Sequence, residues 1–160
     1  MIWMVTEDKR ELTRITDKSP GELFGPIWAA QTPKQFTYYT SNHRRSGTLP
    51  GAVSISLKDP PGSTVNVYEK NGVRVLAPTK DLLKEWYRGG MTPEQYTIKY
   101  YQQTLSKLDA HEVLNDLKKF AGPDGRIIML CWEPPGAFCH RRLAAEWLIR
   151  GNPGLQITEL

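Results

Sequence analysis

The chain has 160 residues, of which 39% are hydrophobic and 10% aromatic, and its formal net charge at pH 7 is +4. This hydrophobic content excludes an intrinsically disordered chain, and the length suits one domain with a sizeable core. No apolar run reaches the length of a membrane span, and residues 1–5 are too short for the apolar region of a signal peptide. The positive charge favours an anionic partner or serves solubility alone, and composition does not decide between them.

In residues 1–35, prolines and glycines interrupt any hydrophobic periodicity that would predict a helix or a strand. We expect this stretch to be an extension that packs on a single α/β domain of residues 36–160. Within that domain, residues 36–40 and 52–57 have the β-branched, aromatic or alternating apolar residues of strands. Residues 64–68 and 73–75 flank Asn71-Gly72, the preferred centre of a type I′ turn, which predicts a β-hairpin appended to the sheet.

Three helices are predicted next in the chain. Thr79 is a suitable N-cap for a helix that ends near Arg88, before two glycines. Thr92, followed by a proline and then a glutamine at the third helical position, is typical of a capping box. Asp109 begins the third helix, and Gly122 lies beyond its end.

Four consecutive apolar residues, Ile127 to Leu130, predict a strand that is buried on both faces. A loop with two prolines follows, and the apolar stripe after it predicts a helix to about residue 150, with a last strand at 154–158. The whole pattern indicates a three-layer Rossmann-like α/β domain with a mostly parallel sheet and a β-hairpin appendage.

Chemically active residues follow the central strand. Cys131 and Glu133 leave its carboxyl end, and Cys139, His140 and Arg141 enter the next helix. Open α/β sheets keep their sites at this edge, and the first turn of a helix attracts anions and lowers the pKa of a thiol.

The same segment carries a family resemblance. Residues 130–133 (LCWE), 135–138 (PGAF) and 139–141 (CHR) resemble the C-terminal signature of the domain of unknown function 488 family. Shorter segments upstream also match the pattern of that family and occur in the same order, so the resemblance covers about residues 36–160. It implies a bacterial or bacteriophage α/β protein and supplies no reaction.

The candidate catalytic residues are Cys139, Cys131 and Glu133. Cys139 at a helix start beside His140 is the better candidate for a nucleophilic or redox thiol. We expect both cysteines to be reduced, close together and not bonded. Glu133 is interpreted as a general base, as an acceptor for a nucleobase edge, or as the ion-pair partner of Arg141.

The candidate ligand-binding residues lie on two segments that are expected to meet at one sheet edge. Arg141 offers a planar fork for phosphate or carboxylate. The full set is Ser41, Asn42, His43, Arg44, His140 and Arg141.

A zinc site from Cys131, Cys139, His140 and His43 is conceivable. The cysteine spacing is not the C-x₂₋₄-C of structural zinc, and the adjacent Cys139 and His140 are expected to point in different directions. We therefore predict no metal and no cofactor.

Three functions remain open. The first is a small cytoplasmic enzyme that acts on a nucleotide or nucleic-acid base through Cys131 or Cys139. The second is a non-catalytic protein that captures a nucleotide-derived ligand, for example a phage-encoded sequestering protein, and the third is a redox-sensing dithiol module. The expected partner is a small anionic, nucleotide-like ligand, with nucleic acid as a further candidate.

Overall fold

A computed structural model of the protein describes residues 35–160, and residues 36–160 form one compact unit. The expected packing of residues 1–35 on the domain concerns mainly residues 1–34, which lie outside the described residues. The strands are β1 (Thr37–Asn42), β2 (Ala52–Ser54), β3 (Asn66–Val67), β4 (Glu69–Lys70), β5 (Val73–Arg74), β6 (Arg126–Cys131) and β7 (Ile157–Glu159).

Five of these strands form one sheet in the order β3-β2-β6-β1-β7, and each neighbouring pair runs parallel. β4 and β5 form a separate antiparallel hairpin. The predicted α/β class, with a parallel sheet and a hairpin appendage, is confirmed. β6 is central, as its uninterrupted apolar run predicts.

The helices are α1 (His43–Ser46), α2 (Lys80–Arg88), α3 (Pro93–Gln103), α4 (Ala110–Leu117) and α5 (His140–Gly151). Caps predicted from the sequence are present at three of them. Thr79 accepts a hydrogen bond from the backbone of Leu82, Thr92 forms the full capping box with Gln95, and Asp109 caps α4. Among the helices of residues 35–160, none is long and apolar enough to cross a membrane.

β6 places its side chains on two faces of the sheet, because successive residues of a strand point in opposite directions. Ile127 and Met129 pack into the large cluster formed with the helices, whereas Ile128 and Leu130 pack with Ala52 on the other face. All four β6 residues are fully buried. The carboxyl end of β6 is therefore held rigidly from both sides.

The hairpin differs from its prediction in one arm. Residues 64–68 were expected to form that arm, but Asn66 and Val67 join the main sheet as β3, parallel to β2. Asn71 and Gly72 have positive φ angles and do form the turn. β4 and β5 pair across this turn, and beyond them the backbone N–H of Val75 donates to the carbonyl of Tyr68. The N–H of Tyr68 donates to the carbonyl of Ser54 in β2, so Tyr68 connects the hairpin to the main sheet.

Gly51, just before β2, has a φ of +87°, and a Cβ there would collide with the backbone carbonyl of Arg126. We expect Gly51→Ala to lose about 3 kcal/mol of unfolding free energy, from the left-handed backbone and the overpacking together. Gly62→Ala is the matched control, because Gly62 also has a positive φ (+78°) but no atom within 4 Å of its added Cβ. Urea unfolding followed by circular dichroism measures both, and equal losses would contradict the steric argument.

Candidate functional site

The parallel sheet brings the ends of three strands together. Asn42 of β1 is the register partner of Cys131, the last residue of β6, and Ser54 of β2 lies beside Leu130. β1 and β6 thus open onto the same edge, as the sequence predicts. Chemically active side chains from distant parts of the sequence meet there.

Cys131 ends β6, and Cys139 is the N-cap of α5. The intervening loop folds back through a turn in which the N–H of Ala137 bonds to the carbonyl of Pro134. The two cysteines form a disulfide, so the expectation of two unbonded thiols is wrong in this structure. The turn explains the closeness of the sulfur atoms, although the Cα atoms remain 7.6 Å apart.

His140 is buried, and its Nε2 lies 2.8 Å from the carbonyl oxygen of Ile55. A carbonyl only accepts hydrogen bonds, so Nε2 carries the proton and Nδ1 of the neutral ring has a free lone pair. Nδ1 lies 3.7 Å from the sulfur of Cys139. Burial, with a smaller contribution from the positive charge of Arg141, lowers the pKa of His140 to about 4, so the ring is neutral at pH 7.

The prediction that Cys139 and His140 point in different directions is therefore wrong. Consecutive residues within a helix are rotated by about 100°. Cys139 precedes the first helical residue and has an extended backbone (φ −157°, ψ 149°), so this rotation does not apply between the two side chains.

Arg141 is completely buried, and its five N–H groups all have acceptors. Two bond to the carboxylate of Glu159, two to the backbone carbonyls of Glu133 and Pro134, and one to the sulfur of Cys131. The sequence predicts a bound anion or Glu133 as the counter-charge of Arg141. The counter-charge is instead Glu159 in β7, and no N–H of Arg141 remains free to hold a ligand.

Glu133 is half-buried at the start of the loop. Its carboxylate accepts a hydrogen bond from the hydroxyl of Tyr87 (3.2 Å) and lies 3.2 Å from the sulfur of Cys131. Arg141 bonds to the backbone carbonyl of Glu133 and forms its ion pair with Glu159, so the ion-pair interpretation of Glu133 is wrong. The interpretations as a general base or as a base-edge acceptor remain predictions.

A cavity of about 670 Å³ opens beside these residues, and we refer to it as the basic cavity. One wall is a face of α2, and the opposite wall is formed by the end of β6 and the start of α5. Its lining residues are Ser56, Leu57, Lys58, Pro78, Lys80, Leu83, Lys84, Tyr87, Arg88, Cys131, Trp132, Glu133 and His140. The wall therefore carries four Lys or Arg side chains against one carboxylate.

The cationic face of α2 was not among the predicted features of the site. Lys80, Lys84 and Arg88 are spaced at i, i+4 and i+8, which places them on one side of a helix. Once Thr79 is identified as the N-cap, this spacing predicts a cationic face on the helix. The sequence alone does not show which part of the protein that face points towards.

The predicted residues of the β1 segment lie behind the basic cavity and do not line it. Ser41 bonds to Ser46, and Asn42 caps α1 by accepting from the N–H of Arg45. His43 is buried, with Nε2 2.8 Å from the hydroxyl of Ser56 and its ring 5.6 Å from that of Trp132. Arg44 is exposed.

A second, larger cavity of about 870 Å³ lies between the hairpin and α4. Its polar wall contains Tyr68, whose hydroxyl donates to Asp116, and Lys70, which forms an ion pair with the same carboxylate at 2.6 Å. These groups are already paired, and no thiol or imidazole lines that cavity. The chemistry is thus concentrated at the smaller, basic cavity.

We expect Glu159→Gln to cost about 3 kcal/mol of unfolding free energy at pH 7, because it leaves the buried cation of Arg141 without a counter-charge. Hydrogen bonds from Arg141 are the main cause that lowers the pKa of Glu159, so this contribution is present at neutral pH. It is lost as the pH falls through the lowered pKa, and the difference between wild type and variant shrinks there.

Urea unfolding at several pH values tests this pair. Glu112→Gln is the control, because Glu112 forms an exposed ion pair with Lys70, and exposed pairs contribute little to stability. Equal effects of Glu159→Gln and Glu112→Gln would contradict the role assigned to the buried pair.

A family model described as the active DUF488-N3 subclade matches residues 38–151. No curated protein and no solved structure matches the chain. The matched segment extends from β1 to the last residue of α5 and includes Cys131, Cys139 and His140. Since it spans more than half of the sequence, the chain belongs to the DUF488 family.

Proposed function

We propose that this protein is an enzyme that binds a nucleotide, or a phosphate-bearing nucleic-acid base, in the basic cavity. The reactive centre is the group formed by Cys131, Cys139 and His140. The observation that carries the proposal is the position of this centre in the wall of a cavity that is both cationic and aromatic.

The charge of the cavity favours an anionic ligand. Lys58, Lys80, Lys84 and Arg88 line it, and the structure gives them no ion-pair partner among the described residues. An excess of cations in one cavity wall attracts a phosphate and raises its local concentration. Because Arg141 is already paired, phosphate recognition is assigned to α2 and no longer to the start of α5.

The aromatic residues of the cavity favour a ligand with a flat ring. Trp132 is 50% exposed and Tyr87 is 68% exposed, which is unusual for rings of this size. The indole N–H of Trp132 donates to the carbonyl of Lys58, and the hydroxyl of Tyr87 donates to Glu133, so both rings are held at one end. Stacking on such a ring contributes about 1–3 kcal/mol per nucleobase.

The alternative of a non-catalytic capture protein uses the same cavity without turnover. A redox-sensing function is favoured by a separate observation, which is the bond between Cys131 and Cys139 at the cavity wall. We propose a reducing cytoplasm as its compartment, where such a pair is kept mainly in the dithiol form.

We expect Lys84→Ala to weaken the binding of nucleoside monophosphates at least about tenfold, because a charge-assisted hydrogen bond to phosphate contributes about 1.5–3 kcal/mol. Calorimetric titration with AMP, GMP, CMP and UMP measures this effect. Lys119→Ala is the control, since Lys119 is 77% exposed and lies outside the cavity. Failure of all four nucleotides to bind the wild-type protein would refute the proposed ligand class.

Turnover is tested separately from binding. We expect the reduced wild-type protein to change the mass of a nucleotide that it binds, and Cys131→Ser and Cys139→Ser to bind the nucleotide without changing it. Mass spectrometry of the reaction mixture, and of any small molecule released from the purified protein, provides the measurement. A ligand that binds and is returned unchanged by the reduced wild type would favour the capture protein.

A further inference from the structure

We propose that Cys131, Cys139 and His140 bind a zinc ion when the two cysteines are reduced. One ligand atom from each residue lies within 4.8 Å of the other two, and all three residues are buried. Thiolate sulfur and imidazole nitrogen are the ligands that zinc prefers in proteins. This inference concerns the reactive centre and holds whichever ligand fills the cavity.

The orientation of His140 is the first argument for a metal ligand. Its Nε2–H donates to the carbonyl of Ile55 at 2.8 Å, which leaves the lone pair of Nδ1 directed towards the sulfur of Cys139. Histidines that bind metals almost always donate their other ring N–H in this way, because the bond fixes both tautomer and ring orientation. The backbone of Ile55 thus prepares the ring for coordination before any metal arrives.

The spacing of the cysteines is the second argument. Their Cα atoms are 7.6 Å apart, beyond the range of about 4.4–6.8 Å that is usual for disulfides. Two thiolates on a tetrahedral zinc, each about 2.3 Å from the metal, lie about 3.8 Å apart and suit a wider backbone separation. The guanidinium of Arg141 donates to the sulfur of Cys131, which favours the thiolate form that a metal requires.

Three protein ligands leave one tetrahedral position for another molecule, as in catalytic zinc sites. Cys131 and His140 both line the basic cavity, so a metal held by them would lie beside it. Glu133 is the carboxylate of that wall, 3.2 Å from the sulfur of Cys131. A water or a ligand in the basic cavity would be the natural fourth ligand.

The disulfide and the zinc complex are alternative states of the same centre. Reduction by a small dithiol transfers two electrons and two protons to the disulfide, gives two thiols and converts the reductant to its own disulfide. Zinc binding then releases the two thiol protons. A small-molecule disulfide reverses the change: it accepts the two electrons and two protons from solvent, leaves as two thiols, restores the bond between Cys131 and Cys139 and so releases the zinc ion.

The test uses the full chain, reduced with a small dithiol and then freed of reductant. We expect it to bind one zinc ion per chain by elemental analysis. X-ray absorption at the zinc edge should show two sulfur ligands at about 2.3 Å and one imidazole nitrogen at about 2.0–2.1 Å. Cobalt substituted for zinc should give the thiolate charge-transfer bands of a tetrahedral site, and oxidation to the disulfide should release the metal to a chelating dye.

Variants identify the ligands. Cys131→Ser, Cys139→Ser and His140→Ala should each weaken zinc affinity by at least about 100-fold, more than the loss of a typical outer-shell partner. His111→Ala is the matched control, because His111 is an exposed histidine away from the centre. The zinc affinity of this variant should equal that of the wild type. The X-ray absorption experiment uses the wild-type chain, so it tests the proposal even if the variants do not fold. A reduced wild-type chain that takes up no zinc, or zinc without sulfur ligands, would overturn the proposal and leave the nucleotide experiments unaffected.

Discussion

The buried guanidinium of Arg141 is the interaction on which the geometry of the site depends. A cation removed from water costs several kcal/mol unless its charge and its hydrogen bonds are satisfied. Arg141 satisfies them with the carboxylate of Glu159, the backbone carbonyls of Glu133 and Pro134, and the sulfur of Cys131. One side chain therefore joins β7, the loop after β6 and the first turn of α5.

This connection explains the position of the cysteines. Arg141 holds the loop carbonyls, so the loop folds back and Cys139 returns to the end of β6 beside Cys131. On the other side, the carbonyl of Ile55 holds the ring of His140. The three side chains are buried against a sheet edge that is itself fixed from both faces.

Two groups of positive charge lie near the centre and act differently. Arg141 is paired and buried, so it organises the structure around the sulfur of Cys131. The face of α2 with Lys80, Lys84 and Arg88 lines the basic cavity and is available to a ligand. A buried cation and an exposed cationic face look alike in a sequence, and only burial and pairing distinguish them.

Most of the fold was readable from the sequence because its signals are local. The apolar run of β6, the caps at Thr79, Thr92 and Asp109, and the Asn71-Gly72 turn each act within a few residues. The site was readable in part, since Cys131, Glu133 and His140 do line one cavity. Ser41, Asn42 and His43 follow β1 to the same edge but lie behind the cavity, and strand order alone does not show that difference.

The sequence by itself determined the class of fold, the central strand and the residues that gather at its carboxyl end. Only the tertiary structure decided that β3 joins the main sheet, that Glu159 is the partner of Arg141, and that the cations of α2 line the same cavity as Cys131. The physical reason is the range of the interactions. Caps, turns and apolar periodicity act between neighbours along the chain, whereas the pairing of a buried charge depends on which distant segment the folded sheet brings within hydrogen-bonding distance.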